Sequence, residues 1–324
     1  MTLLKPFNPF PFLNNPHVQT VLGSLLSGAG ESYPTTPRLL RMDDGDHVAL
    51  HESFSRNWRS GDPIAILVHG LGGSHRSGYM QRVGGALYRQ GVRVVRLDLR
   101  GAGASMPHSR KFYNAANSGD LRAVAAQLHV EHPASPLAVV GFSLGGNIAL
   151  KFAGEEAAAP LPNLRAVAAL APPIDLVRCS EMMANHPWYD AFYVRHLIRQ
   201  VRDHQLCFPD LPPIVFPRGL TLWQFDELYT AARWGYPDAK TYYRTASAYL
   251  PAIRVPTFVL TARDDPFVAV EPFERVAALP NLAVHIVPHG GHLGFVGRDG
   301  LGGIRWAETR LIEWVLARFA ADAP

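Results

Sequence analysis

The sequence predicts an α/β fold, in which a sheet of about eight mostly parallel strands is flanked by helices and interrupted by one helical insertion. Short, continuous apolar runs alternate along the chain with longer segments at helical spacing. Such runs are expected where helices cover both faces of a parallel sheet. The composition is that of a globular protein, because 48% of the 324 residues are hydrophobic and 18% are charged. No internal repeat is visible, so we expect a single domain with a large core.

The charge balance and the cysteine count exclude several classes of protein. The 31 basic and 27 acidic residues give a net charge of +4, which is too small and too dispersed to predict a nucleic-acid partner. Cys179 and Cys207 cannot build a disulfide framework or a cysteine-rich zinc site. Two cysteines suit a reducing compartment, so we expect a cytoplasmic protein.

Residues 1–30 are predicted to form an extended N-terminal arm followed by a short helix near residues 18–26. The 25 residues between Lys5 and Glu31 carry no charge and are long enough to cross a bilayer. Prolines and asparagines among them would leave polar groups without partners in lipid, so no transmembrane segment is predicted. A signal peptide is not predicted either, because its basic start and cleavage site are absent. Peripheral membrane contact stays open through three aromatic side chains, Phe7, Phe10 and Phe12.

The core is predicted over residues 31–173 and 251–324. It begins with an antiparallel hairpin whose strands span residues 38–42 and 48–54. Buried strands follow at residues 64–69, 92–97, 137–141, 164–170, 257–261 and 282–287. The predicted helices cover residues 79–89, 118–131, 144–155, 272–279 and 304–319. A hairpin followed by βα units with right-handed crossovers produces the eight-stranded sheet.

Residues 174–250 are predicted to be a helical lid inserted between the fourth and fifth parallel strands. This segment holds 14 of the 33 aromatic residues of the chain, and a group of prolines divides it into helical pieces. An insertion at this point would lie over the carboxyl ends of the strands, where open α/β sheets bind ligands. Its aromatic side chains would line an apolar pocket or form a core of the insertion itself. The residues for which both roles stay open are Trp188, Phe192, Trp223, Tyr229 and Tyr243.

A nucleophilic serine is predicted in the segment Gly141-Phe142-Ser143-Leu144-Gly145. This segment matches the G-x-S-x-G pattern of a nucleophile elbow, a strained turn from a strand into a helix that exposes the serine hydroxyl. The pattern is expected by chance roughly 0.11 times in a chain of this composition, so its context decides. An apolar strand precedes the motif and a helical segment follows it, as the elbow requires.

A serine hydroxyl reacts only when a base takes its proton and an acid orients that base. On a nucleophile elbow, the acid and then the histidine follow the serine in the chain, each after a later strand. Asp265 follows the strand at residues 257–261, and His292 follows the strand at residues 282–287. The order and the placement therefore predict Asp265 as the orienting acid and His292 as the base.

Each of these two residues has a neighbour that stays open as an alternative. Asp265 is favoured over Asp264 because Pro266 starts a turn directly after it. His292 is favoured over His289 because two glycines precede it and allow a tight loop. A metal site built on the two histidines is not predicted, because no carboxylate or thiol completes a ligand set.

The reaction also needs backbone N–H groups that stabilise negative charge on the substrate oxygen. We predict the amide of Leu144, the residue after the serine, and the amide of Leu71 in the loop at residues 69–74. This loop follows the first buried strand, as its role requires. Other residues at strand ends are expected to shape loops rather than to react: His69, Asp98 and Arg100.

At these residues the sequence resembles the α/β-hydrolase superfamily, and more narrowly its YheT-like branch, which is related to the animal abhydrolase-domain lipases. The matching segments are residues 15–20 (Asn-Pro-His-Val-Gln-Thr), 69–74, 142–147, 225–227, 264–267 and 289–295. The resemblance implies the α/β-hydrolase fold and a serine esterase or lipase with the triad Ser143, Asp265 and His292, independent of metals and organic cofactors. The membrane-spanning N-terminus of the animal members is missing, so we expect a soluble, bacterial-type enzyme.

The sequence predicts a carboxylic ester hydrolase that works through a covalent acyl-enzyme on Ser143. Its expected substrate is a small ester with an apolar part, a short- to medium-chain or lipid-like acyl ester, because the insertion is rich in aromatic residues. The same acyl-enzyme would serve an acyltransferase or a thioesterase, and the sequence leaves that choice open. A non-catalytic binding protein on the same scaffold is disfavoured, because all three triad residues are present.

Overall fold

The computed structural model describes residues 4–26, 33–276, 279–299 and 303–321. An eight-stranded sheet forms its centre, with the strands in the order β1-β2-β4-β3-β5-β6-β7-β8. The strands are Thr36–Arg41 (β1), His47–Ser53 (β2), Ile64–Val68 (β3), Arg93–Asp98 (β4), Leu137–Phe142 (β5), Leu164–Leu170 (β6), Thr257–Ala262 (β7) and Leu282–Val287 (β8). β1 pairs with β2, and β2 with β4, in antiparallel fashion; all other neighbours are parallel. The predicted α/β fold with its mostly parallel sheet is confirmed.

Helices cover both faces of this sheet. The α-helices of the described residues are Pro16–Leu25 (α1), Gly78–Arg89 (α2), Ser118–Glu131 (α3), Leu144–Glu155 (α4), Leu176–Ala184 (α5), Pro187–Cys207 (α6), Leu222–Phe225 (α7), Ala232–Trp234 (α8), Ala239–Ala246 (α9), Glu271–Glu274 (α10) and Trp306–Ala321 (α11). α2 and α11 pack on one face, and α3 and α4 on the other. In β3, Ile64, Ile66 and Val68 face α3 and α4, whereas Ala65 and Leu67 face α2 and α11. Because both faces are buried, the central strands are continuously apolar in sequence.

The C-terminal helix α11 docks on the sheet through an apolar stripe. It begins two residues later than predicted, because Gly303–Arg305 forms a short strand (β10) that pairs with Val296–Asp299 (β9). The side chains spaced four residues apart along the helix are buried: Ala307, Leu311, Val315 and Phe319. Burial of each large apolar side chain contributes about 1.5–3 kcal/mol, so tertiary packing holds this helix in place.

The helix predicted at residues 272–279 is wrong in its length, because α10 is a single turn. This turn buries Phe273, and Leu279 forms a bridge with Leu282 at the start of β8. Residues 277–278 lie outside the described residues. The apolar residues at helical spacing therefore belong to a turn and a bridge that lead into β8.

The N-terminal helix α1 begins at Pro16, two residues before the predicted start. Asn15 caps it, because its side-chain oxygen accepts hydrogen bonds from the His17 and Val18 amides at 2.9 and 3.2 Å. Proline at the first helical position fits the same pattern, since an N–H there would have no helical acceptor. The segment Asn-Pro-His of the sequence is thus a helix start.

The arm before α1 packs on the core. Phe7 lies against Phe295 and Trp306, with ring centroids 5.8 and 5.3 Å apart, so its ring is part of the fold. Phe12 is 97% exposed, and membrane contact through the arm stays a prediction. Within the ranges that the structure describes, no helix is both long and apolar enough to span a bilayer.

The segment between β6 and β7 contains α5 to α9 and one π-helical turn, Asp226–Ala231. Its buried side chains join the same hydrophobic cluster as α3 and α4. The segment therefore shares a core with the sheet, and a separate small core, the alternative from the sequence, is not formed. Its role as a lid stays a prediction.

Candidate active site

Ser143 lies on a strained turn between β5 and α4. Its backbone has φ = 50° and ψ = −122°. Residues other than glycine rarely adopt this conformation, which the nucleophile elbow requires. The flanking glycines make the turn possible. A Cβ atom on Gly141 would lie 2.3 Å from the Gly145 carbonyl oxygen, and one on Gly145 would lie 2.3 Å from that of Val68. The glycine pattern of the motif is therefore a steric requirement of this turn.

His292 joins Ser143 to Asp265. The Ser143 hydroxyl lies 2.8 Å from His292 Nε2, which accepts its proton, and His292 Nδ1–H donates to Asp265 Oδ2 at 2.8 Å. The Asp265 and His292 side chains are buried, and the Phe267 ring covers the imidazole with its centroid 4.2 Å away. The other carboxylate oxygen, Asp265 Oδ1, accepts the amides of Phe267 and Val268 at 3.0 Å each. The structure thus brings the three predicted side chains into one hydrogen-bonded chain.

Asp264 and His289, the alternatives from the sequence, are not brought to Ser143. Asp264 Oδ1 accepts the Gly291 amide at 2.9 Å, and its Oδ2 faces His289 Nδ1 at 3.2 Å on the half-exposed side of the loop. Both residues therefore fasten the loop that carries His292. The contact with the Gly291 amide gives Asp264 a supporting position next to the site.

Helix α1 holds the loop of His292, a contact that was not predicted from the sequence. The His292 amide donates to Thr20 Oγ1 at 2.9 Å. Gln19 is fully buried and binds both backbone groups of Val296, accepting from its amide at 2.7 Å and donating to its carbonyl at 3.0 Å. A Cβ atom on Gly291 would lie 2.3 Å from the Pro16 carbonyl oxygen, so helix and loop are in backbone contact. The sequence signals were the family resemblance at residues 15–20 and the polar side chains of Gln19 and Thr20 in a mainly apolar helix.

The backbone amides on either side of Leu71 are hydrogen-bonded to tyrosine side chains. The Gly70 amide donates to Tyr79 OH at 3.0 Å, and the Gly72 amide donates to Tyr113 OH at 2.7 Å. Among the described residues, the Leu71 amide itself has no acceptor. Leu144 is the first residue of α4, where a backbone N–H has no helical partner. Both predicted donors are therefore free to bind a substrate oxygen.

The insertion also contacts this loop. His196 Nε2 and Gln200 Nε2, both on α6, approach the Gly72 carbonyl oxygen at 2.9 and 3.3 Å. The two contacts were not predicted from the sequence, because they join residues more than a hundred positions apart. They place the insertion directly on the loop that carries the Leu71 amide.

His69 braces the loop from inside, as predicted. Its Nδ1–H donates to the Gly70 carbonyl at 2.8 Å, and its Nε2 accepts the Leu99 amide at 3.2 Å. Burial lowers the pKa of His69, which keeps the imidazole neutral and matches one donating and one accepting nitrogen. Arg100 is structural as well, since it binds both oxygens of Asp120 at 2.7 and 2.8 Å.

One group of three potential metal ligands occurs in the part of the chain that the structure describes: His51, His75 and Asp98. Burial opposes ionisation of Asp98, but hydrogen bonds from both imidazoles hold the pKa of its carboxyl well below the usual range. The two rings stack with centroids 3.4 Å apart and planes 14° from parallel. A metal must lie close to the plane of each imidazole that binds it, so two stacked rings do not fit one ion. The group shapes the loops, as predicted for Asp98.

A cavity of about 90 Å³ opens beside Ser143 and His292. Its wall is mainly apolar, with Leu71, Leu144, Met183, Leu197, Phe225 and Val268 among the lining residues. Cys179 also lines it, but burial raises the pKa of this thiol to about 12, so it stays protonated and is a poor nucleophile at neutral pH. Ser143 is thus the nucleophile that the geometry favours.

The five aromatic residues of the insertion for which two roles stayed open fall into three groups: one lines the cavity, two pack in the core and two are exposed. Tyr243 lines the cavity. Trp223 packs on Tyr243 at 5.2 Å, and Tyr229 is buried in the shared core. Trp188 and Phe192 are 50% and 58% exposed. Aromatic composition alone therefore did not identify the lining residues.

Comparison with known proteins shows which family this chain resembles. Residues 65–300 match the model of a family described as "Alpha/beta hydrolase family". The chain is 30% identical to "Putative esterase YheT" of Escherichia coli (strain K12), over 98% of this chain and 95% of that protein. It is 29% identical to "Medium-chain fatty acid ethyl ester synthase/esterase 2" of Saccharomyces cerevisiae, over 78% of this chain and 61% of that protein. The crystal structure of the 2,6-dihydroxy-pseudo-oxynicotine hydrolase superposes with a TM-score of 0.59 and 18% identity, covering 94% of this chain and 72% of that one; this likeness concerns the fold alone.

Proposed function

The chain belongs to the alpha/beta hydrolase family, in the branch of YheT, and on that premise we propose that it hydrolyses carboxylic esters through an acyl-enzyme on Ser143. The observation that carries the proposal is the hydrogen-bonded chain from Ser143 through His292 to Asp265, beside two free amides and an apolar cavity. A serine in this arrangement is activated by the base and can attack an ester carbonyl.

The first half of the reaction forms the acyl-enzyme. Ser143 Oγ attacks the carbonyl carbon while His292 Nε2 takes its proton, and the Leu71 and Leu144 amides bind the resulting oxyanion. The Asp265 carboxylate orients the imidazole and stabilises the imidazolium. His292 then gives the proton to the leaving oxygen as the C–O bond breaks, and the alcohol departs.

The second half releases the acid. Water attacks the acyl carbonyl, His292 takes a proton from that water, and the same two amides bind the second oxyanion. When the bond to Ser143 Oγ breaks, the proton returns to the serine and the carboxylic acid leaves. Each half moves one proton through Nε2, so one histidine serves both steps.

The size and lining of the cavity support a short acyl chain as the preferred substrate. A cavity of roughly 150 Å³ holds one benzene molecule, and the cavity beside Ser143 measures about 90 Å³. Residues 174–250 would act as the lid of this cavity, because Met183 and Leu197 of the insertion form part of its wall. Longer or lipid-like chains would require the insertion to move.

Acyl transfer to an alcohol is the second candidate, because one relative is named both as a synthase and as an esterase. An alcohol would then replace water in the attack on the acyl-enzyme, with the same proton transfer by His292. Product analysis with p-nitrophenyl butyrate and added ethanol separates the two functions. Formation of ethyl butyrate above the uncatalysed level supports transfer. Formation of free butyrate alone supports hydrolysis.

The test of the proposal is Ser143→Ala with p-nitrophenyl butyrate. We expect kcat to fall by about 10⁴-fold or more, because the other triad residues cannot work without the nucleophile. A fluorophosphonate probe should label the wild-type protein and not this variant. Ser180→Ala is the matched control, since Ser180 lines the same cavity and its loss should leave labelling intact. Full turnover by Ser143→Ala would refute the proposal.

A further inference from the structure

The insertion brings a carboxyl group, that of Asp226, to the cavity of Ser143. Asp226 opens the π-helical turn after α7 and lines the same cavity as Ser143 and His292. π-Helical turns are rare and occur frequently at functional sites. No step of the proposed reaction uses this carboxyl group, so its presence there needs another explanation.

Asp226 is held by hydroxyl groups alone. Thr230 Oγ1–H donates to Oδ1 at 2.5 Å, and Tyr243 OH donates to Oδ2 at 2.6 Å. No lysine, arginine or histidine within the described ranges pairs with it. Burial raises its pKa to about 6, although the two hydroxyl groups lower it. A buried carboxylate without a cation destabilises the folded chain, and such groups concentrate at functional sites.

The carboxyl group can bind a further donor. An ionised carboxylate offers about four acceptor positions, and the hydroxyl groups of Thr230 and Tyr243 occupy one on each oxygen. The cavity wall as a whole is mainly apolar, and it includes Met183 and Phe225, the residue before Asp226. A ligand that reaches Asp226 should therefore carry carbon along most of its length and one donor at that point.

We propose, on the basis of the function proposed above, that Asp226 accepts a hydrogen bond from a hydroxyl group on the acyl chain of the substrate. The acyl part is favoured over the alcohol part because the acyl group stays bound until water attacks, whereas the alcohol must leave toward solvent. A hydroxyl group is favoured over an ammonium group, because an ammonium carries three donors and the neighbouring wall is mainly apolar. The substrate class is thus a hydroxyacyl ester.

The experiment compares matched ethyl esters at neutral pH, with acid release followed by titration. One set is ethyl butyrate with its 3-hydroxy and 3-amino derivatives, and the other is ethyl hexanoate with its 6-hydroxy and 6-amino derivatives. In at least one set, we expect kcat/KM of the hydroxy ester to exceed that of the plain ester by about tenfold, the effect of one hydrogen bond to a charged group. The plain esters should still be hydrolysed.

Variants at Asp226 separate recognition from folding. Asp226→Leu should lower the ratio of hydroxy ester to plain ester below one, and Asp226→Asn, which keeps the shape, should lower it severalfold. Glu227→Gln is the matched control, because this neighbouring acid is exposed and accepts the Ala239 amide outside the cavity; its ratio should equal that of the wild type. The wild-type ratios decide the question even where a variant fails to fold.

Each contrary result has a distinct meaning. If no ester in either set is hydrolysed, the proposed ester hydrolysis fails. If the plain esters react and neither hydroxy ester is preferred, or if Asp226→Asn keeps the preference, the hydroxyl site is refuted. A preference for an amino ester would refute it as well, in favour of a site for cations.

Discussion

The core and the insertion each hold one buried carboxyl group at the candidate site: Asp265 binds His292, and Asp226 lines the cavity. The two carboxyl groups are held differently. Asp265, after β7, accepts three N–H groups: two backbone amides and the imidazole of His292. Asp226, in the insertion, accepts two hydroxyl groups. An N–H group can only donate, whereas a hydroxyl group can also accept.

This difference indicates that the geometry of Asp265 is fixed, whereas Asp226 can adapt to a ligand. The donors around Asp265 come from its own loop and from the loop of His292, so its geometry is set before a substrate binds. The surroundings of Asp226 tolerate both protonation states and leave acceptor positions open. We infer that the core supplies the chemistry and the insertion supplies the recognition, and the four predictions below test that division.

The largest effect is expected at the acid of the core. Asp265→Asn should lower kcat for p-nitrophenyl butyrate by about 10⁴-fold, because an amide favours the wrong tautomer of the histidine. Asp264→Asn is the adjacent control and should lower kcat by about tenfold or less, since Asp264 only fastens the loop through the Gly291 amide. Losses of equal size in the two variants would contradict the assignment of Asp265.

The next effect concerns stability and pH at the acid of the insertion. The pKa of Asp226 rises from 3.8 to about 6 in the folded chain, so its contribution to stability is fully present below about pH 4 and is lost as the pH rises through 6. At 1.36 kcal/mol for each pKa unit, the two pKa values give a loss of about 2.4 kcal/mol for wild-type protein relative to Asp226→Asn between pH 4 and 7. Urea unfolding of both proteins across this range measures the difference, and parallel curves would contradict the prediction.

A smaller effect is expected from the apolar wall of the insertion. Met183→Ala should raise kcat/KM for p-nitrophenyl octanoate relative to butyrate by about tenfold, because space for two more methylene groups corresponds to about 1.6 kcal/mol. Leu206→Ala is the control, since Leu206 is 81% exposed on α6. An unchanged chain-length profile in Met183→Ala would show that the insertion does not set the length of the acyl chain.

The smallest effect is expected where the insertion contacts the loop of Leu71. His196→Ala removes the hydrogen bond to the Gly72 carbonyl and should lower kcat about fivefold with KM unchanged, because one such bond contributes about 1 kcal/mol. Arg195→Ala on the same helix is the control, because its side chain binds Ala191 of its own helix. A change confined to KM would indicate that His196 acts in binding instead.

The parts of the molecule that follow from local sequence were predictable. The strands around the sheet are apolar runs of the right length, and the elbow at Ser143 is specified by its two glycines. The choice of Asp265 over Asp264 rested on the turn at Pro266, and the structure places Asp265 at His292. Each of these features depends on neighbours within a few residues.

The parts that depend on distant contacts were not predictable. Gln19 and Thr20 hold a loop some 270 positions away, and no local pattern reveals that pairing. Asp226 stood in a segment that only the resemblance singled out, because its contact with Tyr243 arises from packing of the π-helical turn on α9.

The central claim is that Ser143 carries the acyl group during turnover. Wild-type protein can be mixed with excess p-nitrophenyl butyrate, quenched in acid within milliseconds, digested and examined by mass spectrometry. We predict a butyryl group on the peptide that contains Ser143, formed together with a burst of p-nitrophenol. A butyryl group on another residue, or turnover with neither adduct nor burst under conditions where deacylation is rate-limiting, would contradict the account.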